Sequence, residues 1–324
     1  MRASDGLFLV AVAAAGCGKS NSGNNTVDAP KTGSDGAQVS LDAPPPPPGF
    51  TPLIGRSWTV SAHGTDTYKC IRITTTEDMY ISGFHVDAPQ GTHHTVLTIS
   101  QSGADGEYDC SAGNLDFQML FASGVGTDDL IFPDGVGLHV PAGSKLNLNL
   151  HLFDATDNDL TGTTTIYVKQ SATAPAQLAE MVFSGTWDIS IPKDGQPHPA
   201  SGGCTLSQDA TIFALWPHMH QTATHQLVEL TPKGTSTATK ILDDNYSFTE
   251  QKNYPQSPMI TARKGDQLKT TCTYVNDPND PDNHSPDPVT FGESSNAEMC
   301  FTGVYRYPAT GGNLFSCVAG IPHL

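Results

Sequence analysis

The sequence predicts an all-β fold: two consecutive antiparallel, jelly-roll-like β-sandwich domains behind a disordered N-terminal tether. Three observations carry that expectation. Short segments of alternating polarity recur along the chain and are separated by turn residues. Periodic runs of Ala, Leu, Glu and Lys, which long helices need, are absent beyond the first residues. The 324-residue length also exceeds one small core, and two domains of roughly 130–150 residues each would use it.

The elements follow in chain order. Residues 1–17 read as a targeting segment rather than structure. An apolar stretch from Leu7 to Ala15 ends in Ala14-Ala15-Gly16-Cys17, small residues directly before a cysteine. This resembles a bacterial lipobox, and the expectation is a lipidated Cys17 that anchors an exported, periplasmic or cell-surface lipoprotein. Residues 18–49 are rich in Gly, Ser, Asn, Asp and Pro and close on the prolines 44–48. Such a segment cannot bury a core, and a disordered, partly polyproline II tether is expected.

The first domain is expected over residues 50–173. Its clearest strand is Lys145–Leu152, whose leucines share one face while Asn147, Asn149 and His151 share the other. The stretches 80–86 and 95–99 also read as strands. The pattern breaks at Ser171-Ala172-Thr173-Ala174-Pro175-Ala176, and a second domain is expected over 174–324. Its best strands are 211–215, 225–230 and 267–275. The Asn276–Pro288 segment holds four aspartates and four prolines. It lacks the glycine and terminal glutamate of an EF-hand loop, so a solvated loop is the reading.

Charge and cysteines narrow the function. A formal net charge of −17 repels polyanions and argues against nucleic-acid binding. The body has no run of 18 apolar residues, so a membrane would be met only through the lipid anchor. Of seven cysteines, assigning Cys17 to lipid leaves six. An even number in an exported chain reads as disulfides, and the absence of a CxxC pair argues against thiolate zinc and thioredoxin chemistry.

Histidines gather at three places: His93-His94, His151, and His218-Met219-His220 with His225 beyond. A His-x-His pair on a strand puts both imidazoles on one face and suits one metal ion. Adjacent histidines on a regular strand point apart, so His93 and His94 can share a metal only where the chain is irregular, which Gln90-Gly91 permits. Imidazole suits zinc, copper, iron and nickel, so the ligands alone do not choose.

Taken together, the motifs are more specific. Gln90-Gly91-Thr92-His93-His94-Thr95-Val96-Leu97 is followed about 40 residues later by a segment running from Phe132 to Asp154 that carries His151. Then come Trp216-Pro217-His218-Met219-His220 and Asn296-Ala297-Glu298-Met299-Cys300-Phe301. In order and spacing, across roughly residues 55–320, this resembles the copper type II, ascorbate-dependent monooxygenases, the peptidylglycine α-hydroxylating and dopamine β-monooxygenase family. The resemblance implies two copper ions per chain. His93, His94 and His151 match the three-histidine electron-storage site. His218, His220 and Met299 match the site where dioxygen is activated. It also implies two β-sandwiches facing across a solvent cleft, and the pairs Cys70–Cys110, Cys272–Cys300 and Cys204–Cys317. Soft thioether ligation fits copper(I) and suits zinc poorly. Small-molecule substrate, dioxygen and a one-electron reductant such as ascorbate are the implied partners, and the chain is expected to act as a monomer.

Two positions depart from the family's peptide-amidating members. The arginine two residues before the His-x-His motif is replaced by Trp216, and the tyrosine four residues after the methionine by Gly303. A glycine-extended peptide is therefore not the expected substrate, and an apolar group beside Trp216 is. Asn149, two residues before His151 on the same face, is either a group that orients the first copper's ligands or a solvent-facing asparagine. His63, His85, His139 and His225 have no ligand position in the pattern and read as structural or surface residues. The functional expectation is a dicopper monooxygenase hydroxylating a C–H bond. Two alternatives are a copper-sequestering lipoprotein without turnover and a sandwich whose histidines are incidental.

Overall fold

The computed structural model describes residues 45–64, 66–100, 102–111, 118–124 and 127–320. The lipobox cysteine Cys17 and most of the expected tether lie outside the described residues. Among those described there is no helix, and none is long and apolar enough to cross a membrane.

The strands are β1 (Thr51–Val60), β2 (Thr67–Thr74), β3 (Met79–Asp87), β4 (Thr92–Ser100), β5 (Gly106–Asp109), β6 (Gln118–Gly124), β7 (Leu130–Ile131), β8 (Val136–Val140), β9 (Lys145–Leu152) and β10 (Leu160–Ser171). They continue as β11 (Gln177–Leu178), β12 (Glu180–Thr186), β13 (Ser190–Ile191), β14 (Pro197–Thr205), β15 (Ala210–His218) and β16 (Ala223–Thr231). The last are β17 (Thr239–Asn245), β18 (Tyr254–Ala262), β19 (Gln267–Val275), β20 (Val289–Thr290), β21 (Cys300–Tyr307) and β22 (Cys317–Ala319).

Two sheets are built on the first half of the chain, β1-β10-β3-β8 (with β7 on β3), extended by β11 of the second half, and β5-β2-β9-β4-β6. Two larger sheets come from the second, β18-β15-β21-β12-β22 and β14-β19-β16-β17, with a small β13-β20 pair. The pairings are antiparallel except β11 with β8 and β12 with β22. The all-β, sandwich-like class that the alternation predicts is the class observed.

β9 shows why the fold positions a polar site. It lies between β2 and β4, and its four leucines are fully buried in the core. Each such side chain contributes on the order of 1.5–3 kcal/mol through the apolar area it takes out of water. Asn147, Asn149 and His151 on the other face are buried as well. The polar face is thus not a solvated one. The chain covers it and must satisfy its groups internally.

The apolar core does not stop at the expected break. After Pro175, β11 lies down beside β8, with Gln177 and Ala179 donating to the carbonyls of Gly135 and Gly137. Phe121 and Phe132 of the first half share one core with Met181, Phe183, Trp216, Phe301 and Tyr305 of the second. The Phe132 and Phe213 rings are 4.9 Å apart, and Ala122 donates its amide to the Tyr305 hydroxyl.

Three disulfides join Cys70 to Cys110, Cys204 to Cys317 and Cys272 to Cys300. The last two tie the facing sheets of the second half together, β14 to β22 and β19 to β21. Each bridge adds about 2–4 kcal/mol, and together they suit an extracellular or periplasmic chain. In the Asp- and Pro-rich segment the carbonyls of Asn283 and Ser285 accept from Lys193 Nζ at 3.2 and 3.0 Å. A lysine ammonium therefore satisfies the oxygens that a cation would seek.

Candidate metal centre

The first histidine cluster sits where β4 begins. His94 lies directly opposite His151 on β9, while the register slips between Thr92 and His94. His93 is the extra residue of a β-bulge. That irregularity turns two adjacent imidazoles, which a regular strand would point apart, towards each other. Their Nδ1 atoms are 3.0 Å apart, and ligand nitrogens of His93, His94 and His151 all lie within 4.8 Å of one another. Gly91 prepares the bulge with φ +100°, and a Cβ there would meet the Trp58 ring at 2.7 Å, so only glycine fits.

The far nitrogens fix which atom faces inward. His93 Nε2 donates to the Phe248 carbonyl at 3.0 Å, which leaves the Nδ1 lone pair inside the cluster. His151 Nε2 donates to Asp66 at 3.0 Å, and its buried Nδ1 has no hydrogen-bond partner. Acceptors on the outer nitrogen are what orient a metal-binding imidazole and set its tautomer. Burial also pushes the basicity down, His93 to about 3 and His94 well below its ordinary value. Both are neutral, ligand-competent imidazoles at neutral pH.

Asp66 is held by several partners. Its φ of 49° is left-handed, a conformation aspartate tolerates better than most residues. Burial works to raise its pKa, but hydrogen bonds from His151, Ser295 and Ser294 outweigh that and hold the carboxyl well below the usual range. Ser294 and Ser295 belong to the second half, so Asp66 ties His151 to the segment leading to Met299. The Tyr68 ring covers His151, with centroids 4.5 Å apart and planes 7° from parallel.

The second group begins where β15 ends. The sequence predicts His218-Met219-His220 on a strand, but the strand stops at His218. The imidazoles converge where the chain leaves the strand, just before the turn at residues 221–222, with rings 5.4 Å apart and nearly perpendicular. Met219 between them is fully buried. The Tyr246 hydroxyl brackets it, donating to its carbonyl at 2.6 Å and accepting from its amide at 3.1 Å. His218 Nδ1 donates to Gln251 Oε1 at 2.9 Å, and His220 Nδ1 to the Ala297 carbonyl at 3.1 Å. Nε2 is therefore the available nitrogen on both. Burial lowers His218 to about 3 and His220 to about 4.

Met299 is placed through its backbone. Glu298 Oε2 accepts from the amides of His220 at 2.9 Å and Met299 at 3.3 Å, so both flank one carboxylate oxygen. Oε1 accepts from the amide and hydroxyl of Thr222. Burial raises Glu298 to about 7 despite these donors. The Tyr274 hydroxyl donates to the Met299 carbonyl, and the Cys272–Cys300 bridge fixes the next residue.

The two clusters touch. The His94 and His218 rings are 5.4 Å apart, edge to face. The solvent cleft implied by resemblance does not separate them in this structure. Asp66 clasps Ser294 and Ser295 on one side, and the Gln251 carbonyl accepts from Gly124 and Thr127 on the other.

These contacts put His218, His220 and Met299 on one scaffold, and that scaffold lies within the part of the chain that a family model matches. Residues 175–323 match the copper type II ascorbate-dependent monooxygenase family, in its C-terminal domain. The copper type II monooxygenases are copper- and ascorbate-dependent, so the match supplies an oxidoreductase setting for the second group. No curated protein matches the chain. Among solved structures it is similar to infectious bursal disease virus, Gx strain, at 9% identity over 84% of this chain and 76% of that one, TM-score 0.20. It is also similar to the N-terminal CBM22-1-CBM22-2 tandem domain of Paenibacillus barcinonensis Xyn10C, at 10% identity over 81% and 94%, TM-score 0.19. Likeness at that level does not bear on the chemistry of the site.

The remaining candidates fall elsewhere. Trp216 stacks on His218 at 4.9 Å and is 1% exposed, so it borders no open space here. Gly303 lies opposite it on β21, and a Cβ there would collide with Met181 Cε. Asn149 gives its amide to the Ser111 carbonyl beside Cys110, at 3.0 Å, and is buried rather than solvent-facing. His63, His85, His139 and His225 pair with Asp157, Asp129, Asp78 and Asp243. Asp66, Tyr246, Phe248 and Gln251 were not legible as site residues. Only Glu298 had a signal, its place beside Met299.

Proposed function

We propose that this chain is an exported dicopper monooxygenase that inserts oxygen into a C–H bond of a small, non-peptide substrate. The observation that carries the reading is the convergence of five imidazoles, four of which have their outer nitrogen engaged by an acceptor. His93 and His151 would hold one ion through Nδ1, with His94 as the third imidazole. His218 and His220 would hold the other through Nε2, with the Met299 thioether. The donor chemistry fits: a buried, unpartnered His151 Nδ1 is a lone pair awaiting an electrophile, and a soft sulfur beside two imidazoles favours copper(I) over zinc.

Copper when bound would supply one-electron redox chemistry and dioxygen activation, refilled by ascorbate or a similar donor. The chain's own residues orient and shield. Phe248, Asp66, Gln251 and Ala297 hold four imidazoles in one tautomer each. Tyr68, Trp216 and Phe248 cover their faces with apolar surface and keep water away. Trp216 and Gly303 stand where the peptide-amidating members carry an arginine and a tyrosine that grip the peptide, so a glycine-extended peptide is not the proposed substrate. Residues 50–173 would carry the first site and 174–324 the second. Lipidation at Cys17 would tether the enzyme to a membrane surface.

Metal analysis of the purified chain, with oxygen uptake in the presence of ascorbate, tests the reading. Two copper ions per chain are expected. Met299→Ala should abolish turnover while leaving one copper on the three histidines. Full activity in that variant sinks the mechanism. Stoichiometric copper with no oxygen uptake across a broad panel of substrates favours a copper-sequestering protein instead.

A further inference from the structure

We infer that Gln251 is a positioning residue shared by both histidine clusters, holding His218 in its metal-binding tautomer and bracing the carbonyl that does the same for His93. The inference rests on the metal reading above and deepens it. Gln251 belongs to the connection between β17 and β18 and is 1% exposed. Its Oε1 accepts from His218 Nδ1 at 2.9 Å, and its Nε2 donates to the Phe248 carbonyl at 3.4 Å. That carbonyl accepts from His93 Nε2 at 3.0 Å. One unbroken series of hydrogen bonds thus runs from a ligand of the first cluster to a ligand of the second.

The orientation of the amide is set by chemistry. A backbone carbonyl can only accept, so the Gln251 group facing Phe248 must be the NH2 and the group facing His218 the oxygen. His218 must then carry its proton on Nδ1 and present Nε2. The same short connection touches both clusters at further points. The Phe248 ring packs on His93 at 4.0 Å and on His220 at 6.4 Å, and Tyr246 brackets Met219. Its backbone is anchored to the first half, where the Gln251 carbonyl accepts from the Gly124 amide and the Thr127 hydroxyl. A segment of the second half, pinned to the first, therefore sets imidazole tautomers on both sides.

The test uses the full chain with Gln251→Met, similar in shape but without the acceptor, and Gln251→Glu, which keeps an acceptor towards His218. Imidazole tautomers are read in copper-stripped protein by long-range proton–nitrogen NMR correlation. Copper(I) affinity is read by chelator competition. Wild type should show His218 as the Nδ1–H tautomer and His93 as Nε2–H. Gln251→Met should shift His218 to a mixture, and second-site affinity should fall on the order of 10–100-fold. Gln251→Glu should retain the Nδ1–H form and affinity within a few-fold of wild type. An unchanged His218 tautomer and unchanged affinity in Gln251→Met overturn the inference. So does a Gln251→Glu chain with His218 protonated on Nε2, the decisive measurement if the methionine variant fails to fold. A wild-type chain that takes up no copper overturns the metal reading instead, while the tautomers still decide the role of Gln251.

Discussion

At the scale of single residues, the proposed centre depends on groups that touch the outer nitrogen of each candidate ligand. Asp66 is the one charged example. Its carboxylate accepts from His151 Nε2 and from two serines of the other half, so it both raises the electron density of the imidazole and fixes its direction. Asp66→Asn keeps an acceptor and the shape but removes the charge, and should weaken first-site copper on the order of tenfold. Asp66→Ala removes the acceptor and should cost on the order of 100-fold. Chelator competition measures both, with affinity at His218, His220 and Met299 as the internal control. Equal losses at the two sites would show that Asp66 acts by holding the halves together rather than through His151. Nothing in the sequence singles out this aspartate, because its role comes from a left-handed turn and a segment 228 residues away. The histidine clusters could be proposed from the sequence because imidazole chemistry is carried by residue type, and Met299 only through the family resemblance. Asp66 and Gln251 were not, because theirs is carried by position.

At the scale of elements, the polar face of β9 and the start of β4 show how far a pattern reaches. The alternation of Lys145–Leu152 predicts the strand and both of its faces. It does not predict that both faces are buried, which depends on β2 and β4 closing around it. The His93 bulge is likewise a matter of register between two strands, and the Phe248 carbonyl that reads His93 has no side-chain signature at all. The connection between β17 and β18 is held against β6 by the Asn253 amide on the Ala122 carbonyl and, more tightly, at Gly124. A Cβ on Gly124 would lie 2.6 Å from Gln251 Cβ and 2.9 Å from its carbonyl oxygen. Gly124→Ala should therefore push the connection away from the first half, because backbone cannot yield as a side-chain end can. The expected cost is about 1–3 kcal/mol of stability, read from urea unfolding. His218 should lose its single tautomer at the same time. A variant as stable as wild type with an unperturbed His218 would show that the contact at Gly124 does not hold the connection in place.

At the scale of the whole molecule, five histidines from both halves sit in one knot, all buried except the half-buried His94, and that arrangement has a pH signature. In the folded chain burial keeps His93 and His218 neutral down to about 3 and His220 down to about 4. In the unfolded chain each titrates near about 6.5. Between those values the unfolded state binds more protons, so stability rises with pH and is lost as pH falls through 6.5. Each such group contributes a slope of about 1.4 kcal/mol per pH unit. Glu298 acts in the opposite sense. Burial raises it to about 7 in the fold, so between its unfolded value and 7 the folded state holds the extra proton. Three histidines against one glutamate leave a net loss of about 2–3 kcal/mol per pH unit on acidifying from roughly 6 to 4.5. His94, lowered in the same direction, steepens it. Asp66 adds its own loss only lower, once pH falls below about 3.9. Copper-stripped protein should accordingly show urea midpoints that fall steeply between pH 6.5 and 4.5. Replacing His94 and His218 together by residues that do not titrate should flatten the profile. A flat profile in the wild-type chain would mean that the histidines titrate as hydrated side chains. The contact between His94 and His218 would then not be a feature of the folded molecule in solution, and the two halves would stand apart as the family resemblance implies.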